Sequence, residues 1–315
     1  MKLSLVVPCF NEEGNVPLFY EAVKADFASV SFDYEIVFVN DGSADGTLAE
    51  LKKLLDEAIP VRIVSFSRNF GKEAAIFAGL KESTGDYVTV IDADLQQRPS
   101  IALEMVRMLD ENPETDCIAA YQENRKESGL LVFFKKAFYG IINKFSDTEF
   151  VQGASDFRTF RRKMVDAVIE TGEYFRFSKG LFSWVGFNTE YVPYVVEERA
   201  TGSSKWSFRK LFRYAVDGIE AFSTVPLKLS LFAGFALLAA SLIYVIVKII
   251  LRCTALVPWT EASWIIFLLL LIGGAVLVSA GIIGEYLAKV YVQTKGRPIY
   301  IAKEILSNKR SDSDG

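Results

Sequence analysis

The chain contains no histidine in its 315 residues. That absence excludes a Ser-His-Asp triad, a His-ligated zinc site and any imidazole base. Cysteine is scarce. Cys9, Cys117 and Cys253 lie far apart with no paired spacing, which points to reduced thiols rather than a disulfide framework or a metal knuckle. There is no internal repeat and no low-complexity tract. Positive charge is not in excess either: the net charge of −4 argues against a nucleic-acid-binding protein. No basic stretch followed by an apolar run and a cleavage site precedes the first strand-like segment, so no secretory signal is expected and the first part of the chain is expected in the cytosol. Whatever chemistry occurs must use carboxylates, cations and hydroxyls.

What the chain does have is apolar content, at 51% hydrophobic and 23% charged, which excludes disorder. The first two-thirds alternates strand-like and helix-like segments. Strands are expected at Leu3–Val7, Tyr34–Val39, Val61–Phe66, Tyr87–Ile91 and Asp116–Ala120; helices are expected at Asn15–Ser29, Thr47–Glu57, Glu73–Lys81 and Ile101–Asp110. Strands alternating with helices predict βαβ units and an α/β fold with a mainly parallel sheet.

From about residue 204 the character changes. Phe208, Leu211, Phe212, Ala215, Ile219 and Phe222 recur at helical spacing opposite Arg209, Lys210 and Arg213, as in an interfacial amphipathic helix. Leu229–Val247 and Ala262–Gly284 are free of charge, and each exceeds the roughly 18 apolar residues of a spanning helix. The short connector Lys248–Glu261 makes them a hairpin. Lysine and arginine are concentrated before the first span and after the second, so both chain ends are expected on the cytoplasmic side. The expected divisions are a cytoplasmic catalytic domain over 1–203, an amphipathic helix over 204–226, a transmembrane hairpin over 227–290 (spans 227–251 and 262–286) and a cytoplasmic tail over 291–315.

Three strand ends carry polar clusters: Pro8-Cys9-Phe10-Asn11-Glu12-Glu13, Asn40-Asp41-Gly42-Ser43 and Asp92-Ala93-Asp94. Ligands in open α/β sheets gather outside the carboxyl ends of strands. In extended geometry Asp92 and Asp94 point the same way, which suits a hard cation such as Mg²⁺ or Mn²⁺. A lone Asp-x-Asp is more often a solvated turn. Three acidic strand ends in one sheet are harder to dismiss, because clustered carboxylates repel unless something cationic is bound.

Val6-Val-Pro-Cys-Phe-Asn-Glu-Glu13, Val39-Asn-Asp-Gly-Ser43, Ser67-Arg-Asn-Phe-Gly-Lys-Glu-Ala-Ala75 and Asp92-Ala-Asp-Leu-Gln96 resemble the motifs of family 2 glycosyltransferases. More narrowly they resemble the polyprenyl-phosphate glycosyltransferases, which include bactoprenol glucosyltransferases and dolichol-phosphate mannose synthases. The resemblance covers nearly the whole chain, hairpin included. It implies a GT-A, Rossmann-like fold with a nucleotide-sugar across the strand ends. It places Pro8, Asn11, Glu13, Asp41, Lys72 and Asp92 around the nucleotide-sugar, with Asp41 at the base or ribose. Asp92 and Asp94 would hold a divalent metal bridging the diphosphate, and Gln96 would lie near the sugar. Asp156, in Asp156-Phe-Arg158, inherits candidacy as an acceptor-side catalytic residue, beside Asp94 and Gln96. Arg158, Arg199, Ser204 and Lys205 would contact the lipid phosphate. Where the family has Asp or His and then Pro after Gln96, this chain has Gln97 and Arg98 before Pro99.

The expected activity is inverting transfer of a hexose from a nucleotide-sugar, UDP-glucose first, to undecaprenyl or similar polyprenyl phosphate at the inner membrane, for O-antigen, teichoic acid or lipid A type glycan modification. UDP-N-acetylglucosamine, UDP-4-deoxy-4-formamido-arabinose and GDP-mannose are alternative donors, and homo-oligomerisation stays open. A non-catalytic membrane adaptor would predict loss of the metal carboxylates, yet both are present. A processive polysaccharide synthase would need a longer membrane channel and a Gln-x-x-Arg-Trp motif, which is absent.

Overall fold

The computed structural model describes residues 1–122, 154–194 and 261–308, with isolated helical positions between Phe232 and Ile250. The expected amphipathic helix, and with it Arg199, Ser204 and Lys205, lies outside the described residues. The chain divides into two compact units, one of residues 1–218 with 297–315 and one of residues 219–296.

The first unit is built on strands β1 (Lys2–Cys9), β2 (Asp33–Asn40), β3 (Val61–Phe66) and β4 (Tyr87–Val90). They pair in parallel in the order β4-β1-β2-β3. Their near-continuous apolar runs follow from burial on both faces. Side chains alternate across the sheet. Leu3, Leu5, Val7, Ile36, Phe38 and Ile63 pack with helices α1 (Asn15–Asp26), α2 (Thr47–Lys53) and α4 (Pro99–Glu111). Val6, Val37, Val39, Val64, Val88 and Val90 meet the opposite layer, formed by α3 (Lys72–Glu82), α5 (Arg162–Glu170) and α6 (Ser178–Trp184).

Strand β1 runs through Pro8 to Cys9, two residues past the expected stop. The Val6 carbonyl accepts from Ile91 on the β4 side, and the β1–β4 ladder ends at Val6. Position 8 faces the same way as position 6, so the N–H that proline lacks would have met no ladder partner.

The sheet extends further than the βαβ pattern predicts. Strands β5 (Cys117–Gln122), β6 (Ala154–Arg161) and β7 (Thr189–Tyr194) widen it beyond β4 in the order β7-β5-β6-β4. Strand β6 is antiparallel to both neighbours, while β5 and β7 are parallel. At the far edge β8 (Ala302–Ser307) pairs antiparallel with β3. The expected tail, 291–315, thus includes a strand at the edge of this sheet.

The second unit contains α7 (Glu261–Thr294). Its segment Leu271–Thr294 is long and apolar enough to cross a membrane, and none of its apolar window is buried. The helix agrees with the second expected span and runs eight residues beyond its expected end at 286.

Candidate active site at the carboxyl edge of the sheet

The ends of β1 and β2 are laced together. Asn11, at a φ of 54°, donates its backbone N–H to the Ser43 hydroxyl (2.9 Å), and its Oδ1 accepts the Ala44 N–H (2.9 Å). Asparagine tolerates this left-handed backbone better than most side chains. Thr47 Oγ1 accepts from Glu12 N (2.8 Å), and Glu13 Oε2 accepts from Gly46 N (2.7 Å). Asn11 and Glu13, predicted at the nucleoside, thus also fix the two loops that would form its walls.

Asp41 sits at the next strand end, buried, with its carboxylate turned toward the loop after β3. Oδ1 accepts from Phe70 N (2.6 Å) and Oδ2 from Gly71 N (3.0 Å). Burial pushes the Asp41 carboxyl up, against these amides and the Arg68 charge, which pull it down. Two glycines make the approach feasible. Gly42 has a φ of +62°, and a Cβ there would lie 2.3 Å from the Arg68 carbonyl carbon. Gly71 has a φ of +99°, which turns its N–H toward Asp41 immediately before α3.

Lys72, the first residue of α3, forms the centre of the site. Its Nζ lies 2.8 Å from Asp92 Oδ1, 3.0 Å from Asp92 Oδ2 and 3.1 Å from Asp156 Oδ2. The sheet register explains this. Val90 of β4 stands opposite Arg158 of the antiparallel β6, so the residues two steps toward the edge, Asp92 and Asp156, leave the sheet side by side. Burial pushes Asp156 up, but Lys72, then Lys179 and Arg158, pull it down to about 2. The two carboxylates in turn raise Lys72 above the usual lysine range despite its desolvation. Oδ1 of Asp156 is buried with no hydrogen-bond partner among the described residues.

Neither Asp92 nor Asp94 lies in a strand. The strand ends at Val90, and Ala93-Asp94 form a turn in which Asp94 Oδ1 accepts from Gln96 N (3.2 Å) and Leu95 has a φ of 58°. Strand alternation therefore does not aim the two carboxylates. Gln97 anchors the turn. Its buried side chain accepts from Asp92 N (3.3 Å) and donates to the Tyr194 hydroxyl (3.4 Å). The departure from the family pattern at Gln97 is thus a strut within the fold, while Arg98 is exposed at the start of α4.

Arg158, expected at the lipid phosphate, sits within β6. Asp156, Arg158 and Phe160 share one face of β6. Arg158 is only 2% exposed, with Nε donating to the Ser155 carbonyl (3.1 Å) and the guanidinium over the Phe182 ring. It lies beneath the site, where its charge steadies Asp156. Glu73, Ser178 and Lys179 were missed by sequence reasoning. Ser178 donates its N–H (2.8 Å) and its hydroxyl to Glu73 Oε2, and this bond fixes the start of the segment that brings Lys179 toward Asp156. Burial and the Asp156 charge raise the Glu73 carboxyl, against the Ser178 bonds. Glu73 lies inside the quoted Ser67–Ala75 motif; no local pattern marked Ser178 or Lys179.

The described residues hold no group of three or more metal-ligating side chains. The donors present are nonetheless suited to a hard cation. Asp92 and Asp94 are oxygen ligands, and a Mg²⁺-type ion is usually held by one or two carboxylates plus phosphate oxygens and water. Burial, and then the nearby Glu12, Asp92 and Asp45 charges, push the Cys9 thiol far up. The Lys72 ammonium, bridging Asp92 and Asp156, occupies a position that selects for positive charge.

The glycosyl transferase family 2 profile matches residues 4–169. The chain is 40% identical to the putative glycosyltransferase CsbB of Bacillus subtilis over 96% of its own length and 91% of the relative's. It is 38% identical to the bactoprenol glucosyl transferase of Shigella phage SfX, over 96% and 99%. Among solved structures, mannosyl-3-phosphoglycerate synthase from Rubrobacter xylanophilus superposes with a TM-score of 0.51 at 20% identity, over 70% of this chain and 72% of that one, and shares the fold. With its polar strand ends, its mostly parallel sheet and near-full-length relatives, the chain belongs to the family 2 glycosyl transferases and is a GT-A-fold glycosyltransferase.

Proposed function

We propose that this enzyme transfers a hexose from a nucleotide-sugar, UDP-glucose first, to a polyprenyl phosphate such as undecaprenyl phosphate, at the cytoplasmic face of a membrane. The observation that carries the reading is the conjunction, in one chain, of the Lys72-bridged carboxylates at the strand ends and the unburied apolar helix Leu271–Thr294. A lipid acceptor explains why a sugar transferase would keep its own anchor. The near-full-length similarity to a relative named as a bactoprenol glucosyl transferase supports the same acceptor class.

In this reading Pro8, Asn11, Glu13 and Asp41 surround the nucleoside, Asp92 and Asp94 hold Mg²⁺ or Mn²⁺, and Gln96 lies near the sugar. The cation, when bound, stabilises charge on the departing diphosphate. The lipid phosphate attacks the anomeric carbon in line, opposite the leaving group, with inversion. Asp156 acts as an anchor rather than a base. A carboxylate with a pKa of about 2 has little appetite for a proton, and a monoester phosphate, with a second pKa of about 6, needs none removed near neutrality. Asp156 instead holds Lys72, and Lys72 with Lys179 offsets the repulsion between the incoming phosphate and the carboxylates. Arg199, Ser204 and Lys205 are assigned to the lipid phosphate.

The membrane hairpin is part of the same proposal. Tyr194 and Arg297 belong to one compact unit, so a chain that crosses a membrane between them does so an even number of times. One crossing in α7 calls for another upstream. The charge-free Leu229–Val247 is the candidate, and the described positions between Phe232 and Ile250 are all helical and exposed.

The test is incubation of purified full-length protein with undecaprenyl phosphate and a panel of nucleotide-sugars, with and without Mn²⁺ or Mg²⁺. A lipid-linked sugar formed from one donor supports the proposal. Absence of product with every donor overturns it, and unchanged turnover in Asp94→Asn overturns the metal assignment.

A further inference from the structure

The residues between α7 and β8 press directly on the loop that carries Lys72. The Tyr300 ring stacks on Phe66 at 4.8 Å with an interplanar angle of 20°, and Phe66 meets Phe70 edge-on at 5.7 Å. Tyr300 also meets Phe77 of α3 at 6.3 Å. It therefore touches one ring before Lys72 and one after it. The backbone adds a further tie, Ser67 N donating to the Ile301 carbonyl at 3.0 Å. The β3–β8 ladder shifts register between Ser65 and Phe66, where Phe66 pairs with Ala302 beside this cluster.

Phe70 links the cluster to the site. Its N–H is one of the donors fixing Asp41, and Lys72 follows two residues later. On the loop 67–71, Arg68 is exposed and lies over the Phe70 ring at 4.0 Å. With Gly71 at positive φ, the loop's geometry depends on packing at its base.

From this geometry we infer that Tyr300 is a positioning residue for the donor site, acting through Phe66, Phe70 and Phe77 to fix the Asp41–Lys72 turn. It touches neither carboxylate of the site. The inference rests on the proposed nucleotide-sugar site. It goes beyond that site by assigning a role to the segment after the apolar helix, one that neither the strand-end motifs nor the family profile's residues 4–169 include.

The test compares Tyr300→Ala and Tyr300→Phe with wild type, each as full-length protein in detergent. Stacked and edge-on aromatic pairs contribute enough that loss of two should raise the donor KM by roughly tenfold. The acceptor KM should stay unchanged, and Tyr300→Phe, which keeps the ring, should restore the donor KM. A fall in kcat alone with both KM values unchanged would mean a smaller folded fraction, and it would overturn the inference. So would an unchanged donor KM in Tyr300→Ala. If wild type forms no lipid-linked sugar, the proposed reaction fails. UDP affinity measured by calorimetry with Mg²⁺ then decides: a tenfold loss in Tyr300→Ala alone sustains the inference, and equal affinities or no binding to wild type overturns it.

Discussion

At the residue scale the site turns on one ammonium shared by two carboxylates. Asp156 is held ionised by Lys72, so its contribution to stability is present above its ordinary value of 3.8 and is lost as pH falls through about 2. Lys72 is raised, so its contribution is present below its ordinary value of 10.5 and disappears only at more alkaline pH. The pair is intact across the neutral range, and Asp156 imposes no titration on turnover there. A kcat/KM profile between about pH 6 and pH 8 should therefore change little in slope when Asp156 becomes asparagine, although its height falls; loss of a rising limb in the variant would restore Asp156 as a base. Lys72→Met should cost about a hundredfold in kcat/KM, since it removes the cation from a site of developing negative charge. Gln97→Leu tests the strut beneath Asp92. It leaves Asp92 N–H and the Tyr194 hydroxyl without their partner, at about 1–3 kcal/mol for a buried unsatisfied group. The Mn²⁺ concentration for half-maximal activity should rise several-fold, and an unshifted metal titration would return Gln97 to a purely packing role.

At the element scale, β8 shows what a segment far away in sequence can do. It covers the open edge of β3, and its approach residues Ile299 and Tyr300 pack on Val39, Val64 and Phe66. Deleting residues 297–315 should lower the unfolding midpoint of the detergent-solubilised protein by about 5 °C or more and broaden its gel-filtration peak, because a bare strand edge recruits other chains. An unchanged midpoint would make β8 an ornament of the sheet. The same strand marks the limit of what the sequence discloses. Strands β1 to β4 were legible because burial on both faces leaves apolar runs, and their polar ends flagged the donor side of the site. Strand β8 reads as a half-exposed alternation, and nothing local says that Ile63 pairs with Leu306. Strand β6 was hidden differently. Asp156 and Arg158 are charged residues in a buried central strand, where apolar ones are expected, and at the strand's other end Arg161 donates to the Thr115 and Leu109 carbonyls. Strand β7 carries Pro193, which a sheet edge tolerates. The Asp92–Lys72–Asp156 bridge depends on the antiparallel register of β6, so its parts could be named from sequence but not their meeting.

At the scale of the whole molecule, the return of the chain to its own sheet constrains how it can be threaded. Described residues on both sides of the 219–296 unit belong to one compact unit, which is why the proposed topology pairs α7 with a second crossing before it. In the proposed hairpin the connector Lys248–Glu261 would be on the opposite side of the membrane from the catalytic unit. It contains Cys253, and the other two cysteines, Cys9 and Cys117, are buried in the sheet. Burial pushes both of those thiols up, Cys117 to about 11, so neither supplies thiolate at neutral pH. The three natural cysteines therefore form a ready topology probe. In intact cells or spheroplasts, a membrane-impermeant maleimide should label one cysteine per chain, and Cys253→Ser should abolish that labelling. Cys9 and Cys117 should react only after denaturation. Labelling of Cys253 that requires prior permeabilisation would put the connector on the same side as the catalytic unit, and the hairpin would have to be replaced by a helix lying along one face of the membrane.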